Sequence, residues 1–387
     1  MNYTDGSLQL QNYIKSFNNI PIRELTITRS NIMKQFLIKL NDAYYTKFSC
    51  LQQLYSYSQV SYQNQLFNSI PNLIQNDIIS NHKNSYKFTY KIRDRQVVYH
   101  IHDKNALQSD LINYMLLKMN MWLYIAFEAA NNHCSNVLDI YIFLTDHKKQ
   151  LPDLQSPVER INANTAFTTS CSYHNEIYIY RREEWFKVFI HETFHALGLD
   201  FSTMNVSKCD ARINRMFSTN IQDIRLYESY CETWSNIIHT LFISFFHTKS
   251  KVNYDLMLKH FHKIYSKEVM FSINQMILIL QRQNIKYEDM VFNKKPVIYK
   301  ETTNSFAYYI IKIILLFHIN EFISWNVKNN TNVILFKKTQ TNITSYCDLI
   351  EKLFQNESFI KTIKKVERVM KTKQTQDTLR MTVFELL

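Results

Sequence analysis

Residues 176–198 read EIYIYRREEWFKVFIHETFHALG, and two structural periods meet inside them. Ile177, Tyr178, Ile179 and Tyr180 are β-branched or aromatic residues in an unbroken run, which reads as a strand. From Trp185 onward, Trp185, Phe186, Val188, Phe189, Ile190, Phe194 and Leu197 cover nearly every face of a helix, so this helix is expected to be buried on most sides. Buried polar groups need partners, yet His191, Glu192 and His195 fall within five residues of it. Residues four apart share a helix face, so both imidazoles can address one metal ion, with Glu192 one step round the helix and able to polarise a metal-bound water. A pair of core histidines hydrogen-bonded to neighbours is the structural alternative. Glu183 and Glu184 fall in the first turn, where carboxylates suit the helix dipole. Gly198, one of only 2 glycines in 387 residues, sits where the helix must stop, a position that a left-handed residue fills most easily.

Working outward, YKFTYKI and QVVYHIH, separated by RDR, predict two strands joined by a short polar turn after Ser85. A long amphipathic helix is expected over about Ala106–Ala130, followed by a strand, LDIYIFLTD, and a loop holding Pro152 and Pro157. Residues 1–84 show helical periodicity, and the chain beyond about residue 240 is again mostly helical. The expected fold is therefore α+β: a core at 85–240 with a small mixed sheet and the HExxH helix, between helical regions at 1–84 and 241–387.

Composition says less about function. The 26 Phe and 25 Tyr stand against 2 Gly and 5 Pro, a bias an AT-rich genome produces by codon usage. Net charge is +12, from 45 basic and 33 acidic residues, a sign that suits nucleic acid or another acidic partner. The charges are dispersed, however. The densest stretch, KTIKKVERVMKTK from Lys361, spaces Ile363, Val366, Val369 and Met370 as the apolar stripe of an amphipathic helix. Six cysteines lie far apart without CxxC, which indicates neither a zinc ribbon nor a compact disulfide scaffold. MNYTDGSLQLQNYIKS at the start carries no apolar signal core, and the greasiest run, YYIIKIILLFHI from Tyr308, is short and contains a lysine, so no transmembrane segment is expected. These features together predict an intracellular protein of a reducing compartment.

Catalytic zinc usually takes three protein ligands and leaves one place for water. In an HExxHxxGxxH arrangement the third ligand would stand at position 201, which is Phe201; Asp200 is off register by one, and this argues against the metzincin class. Downstream, YESYCETWSN (227–236) puts Glu228 and Glu232 at helical spacing. Glu228-Ser-Tyr-Cys-Glu232-Thr-Trp-Ser resembles the gluzincin branch of zinc metallopeptidases, whose later helix carries ExxxD or ExxxE. That resemblance implies Glu228 as the third zinc ligand and Glu232 as the carboxylate that orients a zinc-bound histidine. The reversed assignment fits the same spacing, as does a surface charge pair. Over about residues 137–240, carried by LTDHKKQLP, EIYIYRREEW, HETFH, LDFS and ESYCETW, the chain is also similar to uncharacterised zinc peptidases of large nucleocytoplasmic DNA viruses. This implies one Zn²⁺ per chain and a location in host cytoplasm or viral factory, or inside the virion.

Under that resemblance the expected function is zinc-dependent peptide hydrolysis, with Glu192 as general base and a protein or peptide as substrate. Ile177–Tyr180 resembles the zincin edge strand on which an extended substrate adds. Two other readings stay open: a catalytically silent zincin-fold scaffold or virion protein, and a basic protein associated with nucleic acid, whose binding would weaken steeply with salt. Tyr227, Tyr230 and His239 are near enough in sequence to be oxyanion donors, and none is singled out. His174 and Cys171 read as loop residues rather than ligands.

Overall fold

In a computed structural model, the chain is described over residues 3–57, 66–292, 296–372 and 376–386. It divides into two compact units: one comprises 35–148 and 164–200, the other 1–34, 149–163 and 201–387.

The first unit is built on a six-stranded mixed sheet of order β1-β2-β3-β4-β6-β5. Its strands are β1 (Cys50–Tyr57), β2 (Asn84–Ile92), β3 (Arg95–Asp103), β4 (Val137–Phe143), β5 (Ala166–Thr168) and β6 (His174–Ile179). The expected hairpin is β2–β3, turning at Arg93, which adopts a left-handed φ of 54°. From β3 the chain returns through a helix and pairs β4 parallel to β3, then β6 parallel to β4.

Four helices belong wholly or largely to this unit: α1 (Ile27–Tyr45, in this unit from Gln35), α2 (Asn72–Asn81), α3 (Ser109–Ala129) and α4 (Trp185–Ala196). The parallel register lines up Val97, Tyr99 and Ile101 with Leu138, Ile140 and Ile142, and these in turn with Ile177 and Ile179, all with no exposed surface. One sheet face is thereby a continuous apolar floor, as expected where helices cover a parallel segment. Two polar links fix the layer above it. The Tyr99 hydroxyl donates to Asn120 Oδ1 of α3 at 2.6 Å, and the Trp122 indole N–H of α3 donates to Thr193 Oγ1 of α4 at 2.6 Å.

The second unit is mainly helical. Its long helices include α5 (Ser207–Met216), α6 (Leu226–His247), α7 (Tyr254–Arg282), α8 (Gln340–Leu353) and α9 (Glu357–Met370). As the charge pattern predicts, α9 buries Ile363, Val366 and Met370 and turns its lysines outward. The apolar run from Tyr308 is a buried π-helical turn, Phe306–Ile311, continuing as the helix Lys312–Phe317. Among the described residues no single helix is long and apolar enough to cross a membrane; one pair, Phe306–Phe317 and Ile319–Asn329, reaches the length only with a 91° bend between its halves.

The end of this unit is not helical. Residues 379–384 run irregularly through the interior with every side chain buried. Its carbonyls accept hydrogen bonds from Gln275, Tyr309 and Asn236, partners that an irregular buried segment requires.

The compact units divide the chain elsewhere than at 84 and 240. Strand β1 lies within the stretch read as helical, and Glu228 and Glu232 fall in the helical unit. A strand at 50–57 escaped the period argument because its alternation is weak: residues 50–56 are exposed on both faces.

Candidate metal centre

All twelve residues of α4 are buried, including His191, Glu192 and His195. The helix begins at Trp185 behind Glu184, which holds a left-handed φ of 61°, and it ends as the glycine predicts. Gly198 has φ 62°; its N–H reaches the His195 carbonyl at 3.0 Å, and the Leu199 N–H reaches the Phe194 carbonyl at 2.8 Å. The Leu199 bond, which spans five positions, closes the helix end in the manner of a Schellman turn.

One consequence of this turn was not legible as a motif. It carries Asp200, fully buried, back to the helix, where its Oδ2 meets Nδ1 of His195. On the far side of the same ring, Nε2 of His195 lies 3.1 Å from Nε2 of His191. Two nitrogens bound to one tetrahedral zinc at about 2.0–2.1 Å stand roughly 3.3 Å apart, so the two rings have close to the spacing of ligands to a shared ion. Sequence reasoning set Asp200 aside because it is one residue short of the HExxHxxGxxH position. The available signal was the glycine itself, since a left-handed turn returns the following residues toward the helix that it ends.

The C-terminal end of α4 is clamped. The Ala196 carbonyl, next to His195, accepts from Ser135 Oγ at 2.7 Å and from Asn175 Nδ2 at 3.2 Å. Both donors lie beside a disulfide, Cys134–Cys171. Widely spaced cysteines gave no hint of this pairing. The sheet makes it: Val137 pairs with His174 in the β4–β6 register, and each cysteine stands three residues before one of that pair. Cys171 is thus a disulfide partner, and His174 donates to Asp139 Oδ2, 2.7 Å away, with His100 on the other carboxylate oxygen at 2.9 Å.

The edge-strand expectation needs correction. Ile177, Tyr178 and Ile179 are paired on both sides, with β4 and with β5, and the Tyr180 N–H is taken by the Thr165 carbonyl at 2.9 Å. The short strand β5, arriving from the proline-containing loop, occupies the edge that the sequence assigned to β6.

In the helical unit, Glu228 stands buried in the first turn of α6, after Arg225 in a left-handed conformation. Glu232, one turn on, is also buried, with the Lys312 ammonium at 4.0 Å. Tyr230 donates to Asn326 Oδ1 at 3.0 Å, and His239 Nδ1 lies 3.4 Å from Thr382 Oγ1, so both have structural partners. Buried side chains of metal-ligating type are present among the described residues, His191, His195, Asp200, Glu228 and Cys231 among them.

The fold and this site define a class: an α+β protein whose sheet supports a buried helix with paired histidines, His195 of the pair backed by a carboxylate. No protein-family model, no curated protein and no solved structure matches the chain.

Proposed function

We propose that this chain is a zinc-dependent peptidase with a zincin-like core. The observation that carries the reading is the convergence of the His191 and His195 Nε2 atoms at 3.1 Å inside a fully buried helix. The donor set fits zinc: two neutral imidazole nitrogens at ligand spacing, and a glutamate following the first histidine. Glu228 is the third ligand on the sequence pattern, with one Zn²⁺ per chain.

Zinc bound there would act as a Lewis acid and lower the pKa of a bound water. The chain's own residues do the rest. Glu192 holds and moves the proton, taking it from the attacking water and passing it to the leaving amine. His191 and His195 would hold the metal, aimed by the clamped end of α4, and the apolar residues around them exclude bulk water.

Metal content decides this first. Purified wild type is expected to carry about one zinc per chain, with His195→Ala and Glu228→Ala losing it and Glu192→Gln keeping it. Incubation with a mixed peptide library then gives cleavage by wild type and none by Glu192→Gln. Zinc without cleavage would favour the silent scaffold instead, and absence of zinc after reconstitution sinks the enzyme reading.

A further inference from the structure

We infer that Asp200 is the positioning residue that prepares His195 as a metal ligand, an inference resting on the metal reading above. The geometry has three parts. Asp200 Oδ2 sits on Nδ1 of His195, Nε2 of the same ring faces Nε2 of His191, and Asp200 has no exposed surface. An ionised carboxylate only accepts, so the proton of a neutral His195 resides on Nδ1 and the lone pair resides on Nε2. The ring is thereby fixed in tautomer and in orientation, with the Nε2 lone pair on the side that faces His191 Nε2.

The local chain explains why Asp200 can do this. The left-handed Gly198 and the bond from Leu199 N–H to the Phe194 carbonyl reverse the backbone within one turn, so a residue five positions after His195 meets its side chain. Ser135 and Asn175 hold the Ala196 carbonyl from the sheet side, which keeps that reversal rigid. Burying a carboxylate completely is expensive; the His195 ring partners it, and a dication bound on the far side of that ring would offset the cost further. The sequence pattern gives the orienting task to Glu232; in the structure Asp200 makes a contact with His195 Nδ1 directly. Its role is to act through His195, without touching substrate.

The test uses the full chain with Zn²⁺ as the probe. Long-range ¹H–¹⁵N NMR of the metal-free wild type is expected to show His195 protonated on Nδ1. Asp200→Ala should populate both tautomers, and its zinc Kd, measured against a competing chelator, should weaken by about 10- to 100-fold. Asp200→Asn, which keeps shape and an acceptor oxygen, should retain the Nδ1–H tautomer and recover part of the affinity; it also serves if the alanine variant does not fold. A purely structural role would leave tautomer and affinity unchanged in a folded variant. Wild-type affinity in both variants, or a wild-type His195 protonated on Nε2, overturns the inference while leaving the zinc reading intact. A wild type that binds no Zn²⁺ overturns both, which separates the two failures.

Discussion

At the scale of single residues, buried carboxylates mark where this chain spends free energy. Asp200 is one; Glu268 is another, in the helical unit. Glu268 accepts from the backbone N–H groups of Val383 and Phe384 and from the Thr382 hydroxyl. Burial nevertheless raises its pKa to about 7, against the lowering effect of those bonds and of Lys312. The folded protein therefore binds this proton more tightly than the unfolded chain does. Its contribution to stability is fully present below the unfolded pKa near 4.5 and is lost as pH rises through about 7. Relative to Glu268→Gln, wild type should lose on the order of 2–3 kcal/mol between pH 5 and pH 8. Urea denaturation of both proteins at the two pH values reads this directly, and a pH-independent difference would refute it.

At the scale of elements, α4 is set by what holds its two ends. Gly198 at φ 62° is the one place where a side chain would strain the helix stop, so Gly198→Ala should cost about 1–2 kcal/mol, read as a lower denaturation midpoint. The Cys134–Cys171 bond closes a loop across 37 positions and ties together the segments that carry Ser135 and Asn175. Its reduction should cost about 3–4 kcal/mol by loop entropy. Hydrogen exchange at Ala196–Leu199 should quicken on adding dithiothreitol, and unchanged protection there would show that the two carbonyl clamps hold α4 without the disulfide.

At the scale of the whole molecule, the proposed zinc site links metal to stability. Zinc that binds only the folded chain adds about 2.7 kcal/mol at a hundredfold excess over Kd. Chelation should thus lower Tm and re-addition restore it, with His195→Ala indifferent to both. A wild-type melting curve insensitive to chelator and to zinc would count against a resident ion. The +12 charge gives no focused patch in the sequence, and the lysines of α9 lie on a solvated face.

The sequence by itself determined the strand period of β2, β3, β4 and β6, the helical period of α3 and α4, the buried character of α4, the paired histidines four apart and the glycine that ends their helix. These depend on contacts within a few residues, where spacing and backbone geometry act directly. Tertiary structure alone decided what depends on strand register and chain reversal. The β4–β6 pairing joins Cys134 to Cys171, β5 takes the edge from β6, β1 extends the sheet through a weakly patterned strand, and the turn after Gly198 returns Asp200 to His195. Pairing partners far apart in the chain leave no local periodicity, so only the folded chain reveals them.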